Sequence, residues 1–179
     1  MKNYLDQALH MHELGYSVIP FTRHEDGSVR FPSWRDHRTQ DEAQVRRVFS
    51  KDCSGIALLC TDGLEVIDVD AKYDHTGTLI DRLTEKLQAS KLTRQAAEKC
   101  LIIKTKSYGL HIVYKTYKQE KNQKLALRPA TAKELEQQPQ RDVYEIIETR
   151  GRGGLVFTWP SEGYQILRGS FESIPNLSD

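Results

Sequence analysis

The chain has 179 residues, 38% apolar and 28% charged, with a net charge of +1, which fits one domain able to bury a core without staples. No apolar run approaches the ~18 residues of a membrane span, and the opening MKNYLDQALHMHELG reads as a polar-faced helix and not as a signal peptide. Cys53, Cys60 and Cys100 are odd in number and lack CxxC spacing, which argues against a disulfide framework or zinc ribbon and for reduced, mostly buried thiols in a cytoplasmic protein without a membrane partner.

Residues 4–14 place Leu5, Ala8, Leu9 and His12 on one helical face, and Gly15 supplies a stop. YSVIPF reads as a buried strand, and TRHEDGSVRFPSW as a turn-rich loop with an Asp26-Gly27 turn. Thr39 and Glu42 have capping-box spacing, so a helix is expected next. GIALLC and LEVIDVD are short apolar strands on either side of Asp62-Gly63, a hairpin signal. Residues 78–89 form an amphipathic helix through Leu79, Ile80, Leu83 and Leu87. CLIIKT and LHIVYKTY are expected to pair as a hairpin that turns at KSYG. Thr131 and Glu134 cap a short helix within a polar insertion, and DVYEIIETR and GLVFTWPS are two further strands joined by GRGG. Helices alternating with paired strands indicate an α/β or α+β domain with a mixed, largely antiparallel sheet. The tail SFESIPNLSD has no packing pattern, so residues 1–170 are expected to form the domain and 171–179 to start a linker to a downstream module.

LEVIDVD ends an apolar run on two acids. Alternation along a strand puts Asp68 and Asp70 on one face, with roughly 7 Å between their Cβ atoms. Hard oxygen ligands so placed suit Mg²⁺ or Mn²⁺, whereas without a cation the two repel. Lys72 at the next alternate position rules out a calcium loop. A third acid is available in YEIIETRGRGG. Glu148 shares its face with Tyr144, Ile146 and Arg150, while Glu145 lies opposite; a guanidinium beside the acid favours Glu148 for a metal–phosphate site.

Ser107, Gly109 and His111 gather a hydroxyl, turn amides and an imidazole, a plausible phosphate cradle. His10, His12, His24, His37 and His75 have no comparable setting and read as surface or packing residues. Gly151, Gly153 and Gly154 suit either close backbone approach to a ligand or a hairpin turn. Between residues 104 and 128, Lys104, Lys106, Lys115, Lys118, Lys121, Lys124 and Arg128 face one acid, Glu120: a phosphate-facing strip or a solvated lysine-rich hairpin.

The order of these pieces, GYSVIP, RFPSW, GIALL, VIDVD, SYGLHIVY and IETRGRGGLVFTWPS, resembles the primase–polymerase domain of the archaeo-eukaryotic primase superfamily, most nearly the bifunctional primase/polymerase N-terminal family of plasmid, phage and mobile-element replication proteins. The likeness runs from about residue 4 to about 168. It implies a split site on an RRM-like sheet and template-directed nucleotidyl transfer in DNA replication. Asp68, Asp70 and Glu148 would be catalytic ligands of two Mg²⁺ or Mn²⁺ ions. Ser107, Gly109, His111 and Arg150 would contact the nucleotide, Gly153 and Gly154 would follow the third acid, and Arg30, Pro32 and Trp34 would form the early basic motif. The implied partners are a single-stranded or primed DNA template, nucleoside triphosphates and a fused or associated helicase. Three residues depart from the family pattern: Tyr108 where a glycine is usual, Glu148 where aspartate is frequent, and Trp159 in place of a proline. No cysteine–histidine cluster supports the zinc-binding insertion of some relatives. The same acids leave two alternatives open, a non-catalytic single-strand-binding module and a metal-dependent nuclease.

Overall fold

The computed structural model describes residues 4–32, 41–49 and 52–177. Helix α1 (Tyr4–Glu13) buries Ala8 and Met11, and the chain turns at Gly15 into β1 (Ser17–Arg23). The Asp26-Gly27 turn leads to the two-residue β2 (Val29–Arg30). Helix α2 (Glu42–Val48) is capped by Asp41, whose carboxylate accepts from the Gln44 amide. The expected Thr39 cap lies outside the described residues, and Asp41, immediately before the helix, meets the cap's requirement for an oxygen acceptor.

Strands β3 (Gly55–Leu59) and β4 (Leu64–Val69) follow, then α3 (Leu79–Gln88), α4 (Lys91–Lys99), β5 (Leu101–Lys104) and β6 (Leu110–Lys115). The chain continues through β7 (Gln123–Pro129), α5 (Ala132–Gln137), β8 (Val143–Arg150), β9 (Leu155–Thr158) and β10 (Gln165–Arg168). The Thr131–Glu134 capping box forms in full, and β5 and β6 pair as the expected hairpin.

The fold is mixed α/β with flanking helices, and its strands form two antiparallel sheets. One has the order β2-β1-β3-β9 and the other β10-β5-β6-β4-β8-β7. The expected β3–β4 hairpin is therefore not formed. Asp62 and Gly63 do turn with positive φ, but β3 is already paired on both edges, by β1 and β9, and β4 by β6 and β8. The turn is a crossover between sheets. GRGG makes the return crossover, and it is tied to the first by Cys60 N–H donating to Gly154 O and Gly153 N–H to Cys60 O.

The core gathers side chains from both sheets and from α1 and α2, including Val18, Val45, Leu58, Val66, Ile103 and Val113. Cys60 and Cys100 are buried free thiols and Cys53 is partly exposed; burial pushes the Cys60 thiol up to about 12. Residues 171–177 of the tail pack against the domain, although the sequence there shows no packing pattern. Phe171 is buried and stacks near Trp159, Tyr16 donates to Phe171 O, and the Lys115 and Leu177 amides bond across to close the segment against β6. Phe171 and Ile174 are only two apolar positions among polar neighbours, too few to establish a strand or helix period. Of the histidines read as surface or packing groups, His10 meets Glu172 and His75 meets Glu134, while His37 lies outside the described residues. No helix among the described residues is long and apolar enough to cross a membrane.

Candidate active site

The face of β4 that buries Leu64 and Val66 carries Asp68 next. The same strand face thus passes from core to cleft, which is why an apolar run ends on acids. Register fixes what surrounds Asp68: His111 lies opposite on β6 and Glu148 opposite on β8. Cross-strand partners share a face, so a histidine, an aspartate and a glutamate form one row across three strands. Asp70 sits just past β4, its amide donating to Ile146 O on the neighbouring strand. Carboxylate oxygens of Asp68, Asp70 and Glu148 all come within 4.8 Å of one another. Glu145 is turned to other use, held by Lys124 at 2.5 Å and Arg141 at 3.6 Å.

Cations crowd the three acids. Arg150 Nη2 donates to Glu148 Oε1 at 2.5 Å, and its Nε lies 3.6 Å from Asp68 Oδ2. Lys72 Nζ is 3.0 Å from Asp70 Oδ1, and His111 Nε2 is 3.4 Å from Asp68 Oδ1. Burial works to raise the Asp68 carboxyl, but His111, Arg150 and Lys72 outweigh it and hold it below the usual range. For Glu148 burial wins: it raises the carboxyl against the pull of Arg150, and repulsion from Asp68 and Asp70 adds to the rise. Three carboxylates, each already against a positive group, fit a divalent cation in charge and in donor hardness. His111 Nδ1 is buried without a hydrogen-bond partner among the described residues, an orphaned polar atom beside the acids.

Ser107 enters the same cleft from the β5–β6 turn, with Thr105 and Lys106. Thr105 closes that turn, its amide donating to Gly109 O and its hydroxyl accepting from Gly109 N–H. Gly109 does not line the cleft but makes its geometry possible. A Cβ there would meet Val69 O at 2.0 Å, so only glycine lets the turn press against β4 beside the acids.

The opposite wall comes from the four-stranded sheet and the segment after it: Arg23, Leu155, Phe157 and Tyr164. The cleft between the walls measures ≈ 380 Å³. Phe21, Phe31 and Phe157 stack behind it, and the Arg23 guanidinium lies 5.8 Å from the Phe157 ring. Arg23 and Tyr164 were not singled out from sequence. Arg23 ends an apolar strand as Asp68 nearly ends another, and that shared position at the strand end is the signal that was available.

The sequence profile of the bifunctional DNA primase/polymerase N-terminal family matches residues 8–179. The chain belongs to that family. No curated protein matches it. In this DNA primase/polymerase domain Asp68, Asp70, Ser107, His111 and Glu148 come together at one cleft. Tyr108 adopts the left-handed conformation that glycine would favour, φ 63°, and its ring is turned out, 74% exposed and 5.2 Å from Lys104 Nζ. It therefore does not crowd the cleft. Trp159 stacks on Phe171 in the core. Of the early basic motif, Arg30 is exposed on β2, neither it nor Pro32 lines the cleft, and Trp34 lies outside the described residues.

The lysine-rich stretch of this primase/polymerase domain is not one strip. Lys106 lines the cleft, Lys115 lies over the Tyr16 ring, Lys124 pairs with Glu145, and Arg128 is clamped by both oxygens of Glu134. Strand pairing separates these residues in space although they are neighbours in sequence.

Proposed function

We propose that the chain carries out template-directed nucleotidyl transfer, adding nucleotides to a DNA strand. The observation that supports this most directly is the convergence of Asp68, Asp70 and Glu148 in a cleft that also presents Ser107, Lys106, His111 and Arg150. Asp68, Asp70 and Glu148 would hold Mg²⁺ or Mn²⁺, as two ions, which when bound would activate the 3′-hydroxyl and neutralise charge on the triphosphate.

The chain's own groups divide the remaining work. Lys106 and Ser107 meet phosphate oxygens from the β5–β6 turn, the first as a point charge and the second as a hydroxyl donor. His111, held at Asp68 and with Nδ1 unpaired, fixes the position of that carboxylate and, when both ring nitrogens are protonated, offers Nδ1–H as a further donor. Arg150 bridges Asp68 and Glu148 and spreads positive charge along the row, which favours a polyanion in the cleft. Phe157 and Tyr164 with Arg23 line the opposite side, where an aromatic face and a guanidinium would meet the nucleotide.

The test is incubation with a primed template, nucleotides and Mg²⁺ or Mn²⁺, repeated without primer. Metal-dependent extension supports the reading. DNA binding without incorporation marks a binding module, and template degradation without nucleotides marks a nuclease.

A further inference from the structure

We infer that Tyr73 positions Asp70 for the ion, and that the segment from Arg128 to Arg141, with its helix α5, is the brace that holds Tyr73. This deepens the metal-site reading above and rests on it. Strand register fixes Asp68 and Glu148, which face each other on β4 and β8. Asp70 lies beyond the last paired residue of β4, Val69 opposite Ile147, and its amide makes one further rung by donating to Ile146 O. Its carboxylate makes no capping bond to the turn of 3₁₀ helix that follows, Ala71–Tyr73. Where that carboxylate rests therefore depends on where the turn is held.

The turn is held at Tyr73, which does not line the cleft. Two connections run from it to Asp70. Through the backbone, the Tyr73 amide donates to Asp70 O at 3.1 Å. Through side chains, Lys72 Nζ lies 4.6 Å from the centre of the Tyr73 ring and 3.0 Å from Asp70 Oδ1. Tyr73 is in turn clasped by two arginines. Arg128 Nε donates to Tyr73 O. The Arg141 guanidinium lies 5.0 Å from the Tyr73 ring and 4.1 Å from the Tyr144 ring, and its Nη1 donates to the Tyr73 hydroxyl at 3.4 Å. A guanidinium over aromatic faces is attracted by their quadrupoles. Neither arginine is loose: both oxygens of Glu134 hold Arg128, and Glu145 lies 3.6 Å from Arg141. Glu134 is also the capping-box residue of α5, so helix, arginines and Tyr73 form one connected unit that ends at the Asp70 turn.

The experiment titrates Mn²⁺ alone into the protein and counts the free ion by its electron paramagnetic resonance signal. It uses wild type, Asp70→Ala, Tyr73→Leu, Tyr73→Phe and Arg141→Ala, with metal-free thermal melts on each. Groups that orient a metal ligand from behind commonly change affinity by about 10–100-fold when removed. Tyr73→Leu and Arg141→Ala should therefore raise the Mn²⁺ dissociation constant roughly tenfold. Tyr73→Phe keeps the ring, loses only the hydroxyl contact, and should stay within about threefold of wild type. Should Tyr73→Leu fail to fold, Arg141→Ala carries the test. A merely structural role would lower the metal-free melt and leave the dissociation constant alone, and that result in the folded variants overturns the inference. A phenylalanine variant as weak as the leucine one overturns the role of the ring. Equal Mn²⁺ affinity in wild type and Asp70→Ala overturns the metal site as well. The expected Mn²⁺ affinities without primer extension by wild type would uphold the inference and remove nucleotidyl transfer alone.

Discussion

Asp68 and Glu148 are direct cross-strand partners on β4 and β8, and the row continues through Asp68 to His111 on β6. Register alone thus places a metal-competent pair and its histidine on one face, with no loop rearrangement needed to assemble them. Asp70 completes the group from the strand end, where it is least constrained by packing.

Replacing that residue, Asp70→Ala, should abolish primer extension while leaving the fold intact. Metal-assisted charge stabilisation is worth several kcal/mol, so the loss should be on the order of 10³-fold in rate. Single-turnover extension and far-ultraviolet circular dichroism check the two halves. Full activity in this variant would end the metal-site reading.

Divalent ions should also stabilise the fold directly. At a concentration 100 times the dissociation constant the gain is about 2.7 kcal/mol, visible as a rise in melting temperature with Mn²⁺. The rise should vanish on chelation and be absent in Asp70→Ala. An equal shift in that variant would place the ion elsewhere.

His111→Ala should mainly weaken nucleotide binding. A hydrogen bond to a charged group contributes about 1.5–3 kcal/mol, so KM for the nucleotide should rise roughly tenfold or more, with a smaller change in kcat. An unchanged KM would remove His111 from nucleotide contact and leave it only its hold on Asp68.

Sequence reading went furthest where a residue's face depends on local alternation. Parity along the strand separated Glu148 from Glu145, and the two acids proved to differ in partner as that parity implied. It failed where pairing depends on distant competition. Asp62-Gly63 has the chemistry of a hairpin turn, yet β1 and β9 occupy both edges of β3. Helix α4 and strands β7 and β10 were missed because they bury almost nothing: KLTRQAAEK has no buried residue, and QKLALRP and QILR are largely exposed. Their few large apolar residues, Leu92, Leu125, Leu127 and Leu167, are exposed and sit among polar and charged neighbours, which leaves a weak signal. Tyr164 was invisible for a related reason, since its place in the cleft comes from Ser161 anchoring a loop to another sheet.

Phe171→Ala should cost about 3–5 kcal/mol, the usual range for a buried phenylalanine, because the ring is buried in the core with Tyr16 and Trp159 around it. Chemical denaturation measures it. A loss below about 1 kcal/mol would mean that the tail is dispensable to the fold.

The same tail carries a pH signature. Hydrogen bonds from Ser170 and His10 lower the Glu172 carboxyl to about 2. A carboxyl depressed in the folded state contributes stability that is present above its unfolded value and lost as pH falls through its folded one. Between about pH 4.5 and pH 2, therefore, wild type should lose stability that Glu172→Gln never had. Melts of the two proteins should converge at the acid end; parallel curves would show that Glu172 does not contribute.

The contacts of Lys72 with Asp70 and of Arg150 with Glu148 link ion binding to anion binding in the cleft. If the carboxylates held a divalent ion, Lys72 and Arg150 would lose these partners and be left as unneutralised positive charges lining the cleft. A polyphosphate is the natural counterion for them. Ion and nucleotide should therefore bind with positive cooperativity, and by reciprocity each must strengthen the other's affinity by the same factor.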